Sequence, residues 1–185
     1  MKTFFKGFCI GLLSLSLLGL LWFLVLQPGL TNKEAQDLKE EYAQPLPGES
    51  SGELPAGKEQ AASLVNLSAL QAEYPDIQGW ISIPGTCVDY PVLQSSADEP
   101  EYYLRRTYKG EHRTAGSIFF QWDCSPESRN LVVYGHNMSD GTMFAVLQKM
   151  ADEAFRTEHS KILLQTSDGL WEYRIAAVLK TDITK

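Results

Sequence analysis

Read as apolar and polar positions, the chain divides into stretches of different texture. Phe8 to Leu26 is a run of 19 residues without a charge. Thr31 to Tyr42 (TNKEAQDLKEEY) is rich in helix formers but has no broad apolar face, which predicts a solvated helical spacer capped by Thr31 or Asn32. Gln44 to Lys58 holds three prolines and three glycines with almost no apolar periodicity, the composition of a flexible or locally extended linker. From about Ala61 the apolar positions become dense. Leu64, Leu67 and Leu70 form a helical stripe that ends before Tyr74-Pro75.

Trp80 to Val92 reads as two short strands around Pro84-Gly85, Glu101 to Tyr108 as an aromatic-rich segment, and Gly116 to Gln121 as a strand. Leu131, Val132, Val133 and Tyr134 are an unbroken β-prone run, the pattern of a strand buried on both faces. Gly135 breaks it and leaves His136 at the strand's end. Met143, Phe144, Val146, Leu147 and Met150 then recur at helical spacing, predicting an amphipathic helix over Thr142 to Met150, with a further helical turn over Ala151 to His159. Lys161 to Thr166 and Trp171 to Leu179 read as strands flanking the hairpin signal Ser167-Asp168-Gly169. Many short strands with regular turns predict a mainly β fold with α decorations, a barrel or a sandwich.

The uncharged run is long enough to span a bilayer. Lys2 and Lys6 precede it, and it stays bulky up to Trp22-Phe23-Leu24-Val25-Leu26, with no small-residue cleavage site. It therefore reads as an uncleaved signal anchor over 8–26. The basic flank 1–7 is cytoplasmic, 27–60 a spacer and linker, and 61–185 an extracellular domain on a single-pass cell-membrane protein. The net charge of −7 becomes −9 once Lys2 and Lys6 are set aside, with 14 basic against 23 acidic residues. That balance argues against a nucleic-acid partner, which needs a basic face.

An imidazole at a strand end stands between core and solvent, where it can move protons. Alone, His136 reads equally well as a structural histidine satisfied by a backbone carbonyl. Of the three cysteines, Cys9 lies in the apolar run, while Cys87 and Cys124 could pair in an exported protein. No cysteine–histidine group has metal-ligand spacing, so neither a metal nor a cofactor is expected. His112 and His159 read as surface residues, Trp80 and Phe119 as core.

The segments GWISIPGTCVDYPVLQ (79–94), EYYL (101–104), AGSIF (115–119), YGHNM (134–138) and GTMF (141–144) occur in an order that resembles the class B sortases, over roughly Leu67 to Lys185. Those are membrane-anchored cysteine transpeptidases of Gram-positive cell surfaces. The resemblance implies a sortase-type β-barrel and makes His136 the catalytic histidine. It implies that Leu93 and Tyr134 either line the substrate groove or belong to the core. The implied partners are a surface protein bearing a sorting signal and a peptidoglycan-precursor or pilin amine.

The family's cysteine follows a Thr-Leu-x-Thr-like strand, and its arginine lies on the next strand. Neither occurs after His136. The acidic loop Asp123-Cys124-Ser125-Pro126-Glu127 is the opposite of the cationic surroundings that favour a thiolate. Arg174 alternates outward along its strand, and Arg105, Arg106, Arg113 and Arg129 precede the histidine. The expectation is an incomplete barrel from a fragmentary gene, a frameshift or a shortened product, inactive as written. The alternative is a catalytically silent anchored module that binds a wall peptide or partner protein.

Overall fold

The computed structural model describes residues 13–17, 19, 27–44 and 64–181. The expected cytoplasmic flank, most of the expected anchor and nearly all of the Pro/Gly-rich stretch lie outside these residues. Among the described residues no helix is long and apolar enough to cross a membrane.

The expected hairpin around Pro84-Gly85 forms the centre of the molecule. Strand β3 (Ile77–Ser82) pairs antiparallel with β4 (Asp89–Gln94), matching Trp80 to Pro91 and Ile81 to Tyr90. β4 runs parallel to β5 (Ile118–Phe120), and β5 antiparallel to β6 (Val133–Tyr134). On the other side β3 pairs with β7 (Lys161–Thr166), which turns tightly at Ser167-Asp168 into β8 (Gly169–Arg174). Among the described residues the sheet order is β6-β5-β4-β3-β7-β8, with β6 and β8 at its edges. The fold is thus mainly β with few helices, as the pattern predicts.

Because successive strand residues point to opposite faces, the central strands are buried on both. Tyr90, Val92, Ile118 and Phe120 face one cluster with Ile81, Met143, Val146 and Met150. Leu93 and Phe119 face the other, with Trp80, Ile77, Leu70 and Tyr103. Helix α2 (Leu67–Glu73), capped by the Asn66 side chain on the Ala69 amide, buries Leu67 and Leu70 in that second cluster.

Three expectations change. The segment read as a solvated spacer is helix α1 (Gln27–Glu41), and it is docked. A narrow stripe, Thr31, Ala35 and Leu38 at helical spacing, is buried. Polar pairs at its edges replace the missing apolar width. Lys39 Nζ lies 2.7 Å from Asp89, whose other oxygen accepts from Trp80 Nε1 at 2.8 Å, and Arg113 lies 2.5 Å from Glu34. Second, Ala43–Gln44 (β1) pairs antiparallel with Leu64–Val65 (β2), so stretch 45–63 leaves and re-enters the domain at one place. Third, the helix expected over Thr142 to Met150 is a 3₁₀ segment, Phe144–Ala151, and α3 (Glu153–Glu158) follows it.

Two local details also depart from the pattern. The run 131–134 pairs only at its end, as an edge strand with Tyr134 exposed, and the strand expected to reach Leu179 stops at Arg174. His159 is half-buried rather than fully exposed: its ring packs, tilted by 52°, against Phe155 with centroids 4.3 Å apart, and Nδ1 donates to Pro84 O at 3.0 Å.

Truncating the fully buried Phe120 to Ala should cost about 3–5 kcal/mol in denaturant unfolding of the chain, whereas Trp171→Ala on exposed β8 should stay within about 0.5 kcal/mol. Just beyond α1, the Tyr42 hydroxyl donates to Glu73 at 2.5 Å and, with the Tyr74 hydroxyl, lowers the Glu73 carboxyl below its usual 4.5. Its contribution is therefore present above about pH 4.5 and fades as the pH falls through the lower folded value. Glu73→Gln should remove that part of the acid limb in a stability–pH titration.

Candidate active site

Strand β6 ends at Tyr134, and Gly135 carries the chain past the Phe144 ring so closely that a Cβ there would fall 2.6 Å from Phe144 Cδ2. His136 follows. Its carbonyl accepts the Phe144 amide at 2.9 Å, and Asn137 bridges Met143, so the intervening residues form a compact loop tied at its base. Inside it, Asp140 accepts from both the amide and the hydroxyl of Thr142, at 2.8 and 2.6 Å. Met143 closes the loop at φ +54°, a conformation that costs a non-glycine residue on the order of 1–3 kcal/mol.

The half-buried His136 ring meets Leu104 O at 2.9 Å through Nε2. A carbonyl only accepts, so Nε2 carries the proton. In the neutral ring the basic lone pair therefore sits on Nδ1, for which no hydrogen-bond partner occurs among the described residues. A carbonyl thus satisfies one ring nitrogen, as the structural reading of this histidine expects.

Leu104 belongs to the 3₁₀ segment Tyr102–Arg105. The buried Tyr103 hydroxyl donates to Asp76, and the Ser117 amide donates to Tyr103 O at 2.9 Å. Burial first, then the Asp76 contact, pushes the Tyr103 phenol up, so it stays a donor. Gly116 sits at φ +58°, where a Cβ would lie 2.3 Å from Leu104 O. Only glycine lets this backbone pass behind the carbonyl that holds His136. The AGSIF block contained that signal; the roles of Leu104 and Asp76 had none, because backbone carbonyls leave no residue signature.

Tyr134, two residues before His136, is exposed, with its hydroxyl donating to Gln121 at 3.0 Å and its ring 5.5 Å from Phe119. Leu93 has no exposed surface; its side chain is packed in the second core cluster. Cys87 and Cys124 are free thiols. Cys87 Sγ donates to Gly141 O at 3.1 Å, and burial pushes this thiol up, the wrong direction for a nucleophile. Arg113 is engaged by Glu34, Arg106 lies over the Tyr102 ring, and Arg174 is exposed. None of them hydrogen-bonds to His136. Among the described residues no cluster could hold a metal ion. A cleft of about 30 Å³ between α1 and the sheet, lined by Thr31, Ala35, Tyr90 and Met143, has room for about one water and is a packing seam.

Gly116→Ala should displace the Leu104 carbonyl and destabilise the chain by more than about 2 kcal/mol, with the His136 ring losing its Nε2–H bond in histidine ¹⁵N spectra. Gly135→Ala should cost about 1–3 kcal/mol by crowding Phe144. Thermal or urea unfolding of each variant checks both values.

Comparison with known proteins adds an independent line. The sortase-domain family matches residues 81–185. The sortase B of Listeria monocytogenes (strain EGD-e) is 40% identical over 117 residues, which make up 62% of this chain and 47% of that protein. The chain thus spans about half the length of that relative. The crystal structure of Bacillus anthracis sortase B in complex with AAEK1 superposes with a TM-score of 0.58 at 32% identity, covering 83% of this chain and 70% of the other. The Staphylococcus aureus sortase B–substrate complex gives 0.56 at 27% identity, covering 78% and 59%. With its six-stranded sheet and strand-end histidine already described, the chain belongs to the sortase family, in company with the class B sortases.

Proposed function

We propose that this chain carries the histidine-bearing part of a class B cysteine transpeptidase, with His136 as the catalytic histidine. The observation that supports it most directly is the His136 ring itself, oriented by Leu104 O through Nε2 with Nδ1 left open. A thiol attacks a peptide carbonyl well only as thiolate, which a neighbouring imidazolium favours. A C–S bond then forms, the peptide C–N bond breaks, and the imidazolium gives its proton to the leaving amine. An incoming amine attacks the thioester, returns a proton to the imidazole and releases the thiolate. In this reading the first substrate is a sorting-signal peptide of a surface protein, and the second a peptidoglycan-precursor or pilin amine. In this reading exposed Tyr134, at the end of β6 two residues before His136, flanks the peptide.

This sequence has no cysteine beyond His136, and neither Cys87 nor Cys124 has thiolate-favouring surroundings, so we propose that the 185-residue chain alone is inactive. The same observation favours a second reading, a silent anchored module that binds a wall peptide. In both, Phe8 to Leu26 holds the protein in the cell membrane with the β domain outside.

Sequencing the DNA beyond the Lys185 codon separates the two readings: a TLxTC-like cysteine with an arginine one strand later, in any frame, supports the enzyme. In the protein carrying that cysteine, His136→Ala should lower sorting-peptide cleavage by at least about 10²–10⁴-fold, and unchanged turnover would remove His136 from the role. Absence of the cysteine, with a sorting peptide binding the 185-residue chain, would favour the module. Removal of residues 8–26 should move the protein from the membrane to the soluble fraction.

A further inference from the structure

We propose that Tyr90 is a positioning residue for His136, transmitting the seating of helix α1 to the loop that holds the imidazole. The proposal rests on the reading of His136 as the catalytic histidine and adds a residue that touches neither substrate nor imidazole.

Tyr90 lies on β4, almost fully buried, with its hydroxyl at the junction of three elements. It donates to Asn32 Oδ1 on α1 and accepts the backbone amide of Met143 at 3.2 Å. A phenol has one proton and two lone pairs, and an amide N–H can only donate, so the hydroxyl serves both partners at once in this one sense. Burial pushes Tyr90 up to about 12, which keeps that proton in place at ordinary pH.

Met143 is where this bond has leverage. It is the described non-glycine residue with positive φ, and such a conformation persists only when its surroundings fix it. Its bridge partner Asn137 directly follows His136, and its neighbour Phe144 donates to the His136 carbonyl. The Tyr90 hydroxyl is the side-chain acceptor for the Met143 amide. Losing it frees Met143 to relax, and both ties at the base of the His136 loop move with it. Phenylalanine would fill the same core volume, so Tyr90→Phe isolates the hydroxyl.

The test uses the full chain in detergent micelles, with ¹⁵N histidine spectra and amide hydrogen exchange. The three histidines, His112, His136 and His159, are assigned by single substitution. Tyr90→Phe should shift His136 from the Nε2–H form toward a tautomer mixture, leaving the other two unmoved. It should speed exchange of the Met143 and Phe144 amides about 5- to 10-fold, the equivalent of one hydrogen bond. Asn32→Ala, which leaves the Met143 bond but releases the hydroxyl's orientation, should move the same readouts less. A lower Tm with the His136 ring and both amides unchanged would assign Tyr90 to stability alone and overturn the proposal. If Tyr90→Phe does not fold, unchanged readouts in Asn32→Ala overturn it equally. No cleavage assay is involved, so failure of His136 as a catalyst in the cysteine-bearing enzyme would leave these readouts intact and be seen separately.

Discussion

The hydrogen bond from His136 Nε2 to Leu104 O is the constraint on which the site depends. An imidazole at the end of a two-residue edge strand has little around it to fix its rotation. A single backbone acceptor sets both orientation and tautomer, because a carbonyl can be satisfied only by an N–H. Such a bond adds roughly 1 kcal/mol to stability. Its larger effect is to decide which nitrogen stays basic. For that, the carbonyl must be held more firmly than the ring it holds. The Tyr103–Asp76 contact, the Ser117 amide and the close passage of Gly116 achieve this from three directions.

The two halves of the site have opposite mechanical character. Leu104 rests on a segment locked by a buried phenol and a glycine crossing, on the central side of the sheet. His136 rests on an edge strand and a loop with a strained closing residue. An edge strand leaves His136 open to solvent and to partners, which a fully buried strand would prevent. The apolar run before His136 therefore serves an unusual purpose: it is only half covered, and its hydrophobicity anchors one face.

Much of the architecture was legible in the chain. The hairpin at Pro84-Gly85, the tight turn at Ser167-Asp168 and the strand end at Gly135 carry turn chemistry that acts locally. The position of His136 at a strand end was legible because the β-prone run 131–134 is broken by Gly135 just before it. What misled was local reading of features decided at a distance. Helix α1 has too narrow an apolar stripe to predict burial, and its docking depends on Asp89, Arg113 and Tyr90, far along the chain. The helical period from Met143 to Met150 was real, but Met143 is spent closing the His136 loop, and the turns behind it tighten to 3₁₀. For Leu93, left open between groove and core, the alternation of β4 turns the side chain into the second core cluster.

The pairing of Ala43–Gln44 with Leu64–Val65 has a mechanical consequence. That pairing holds the two ends of the proline- and glycine-rich stretch side by side, so its length does not set the distance between the segments it joins. Doubling such a loop costs only about 0.6 kcal/mol of closure entropy, so its length is free to vary. Helix α1, about 22 Å long at 1.5 Å per residue, lies packed on the domain rather than standing off from it. Residues before Gln27 therefore join the domain through a packed helix, not through the proline- and glycine-rich stretch.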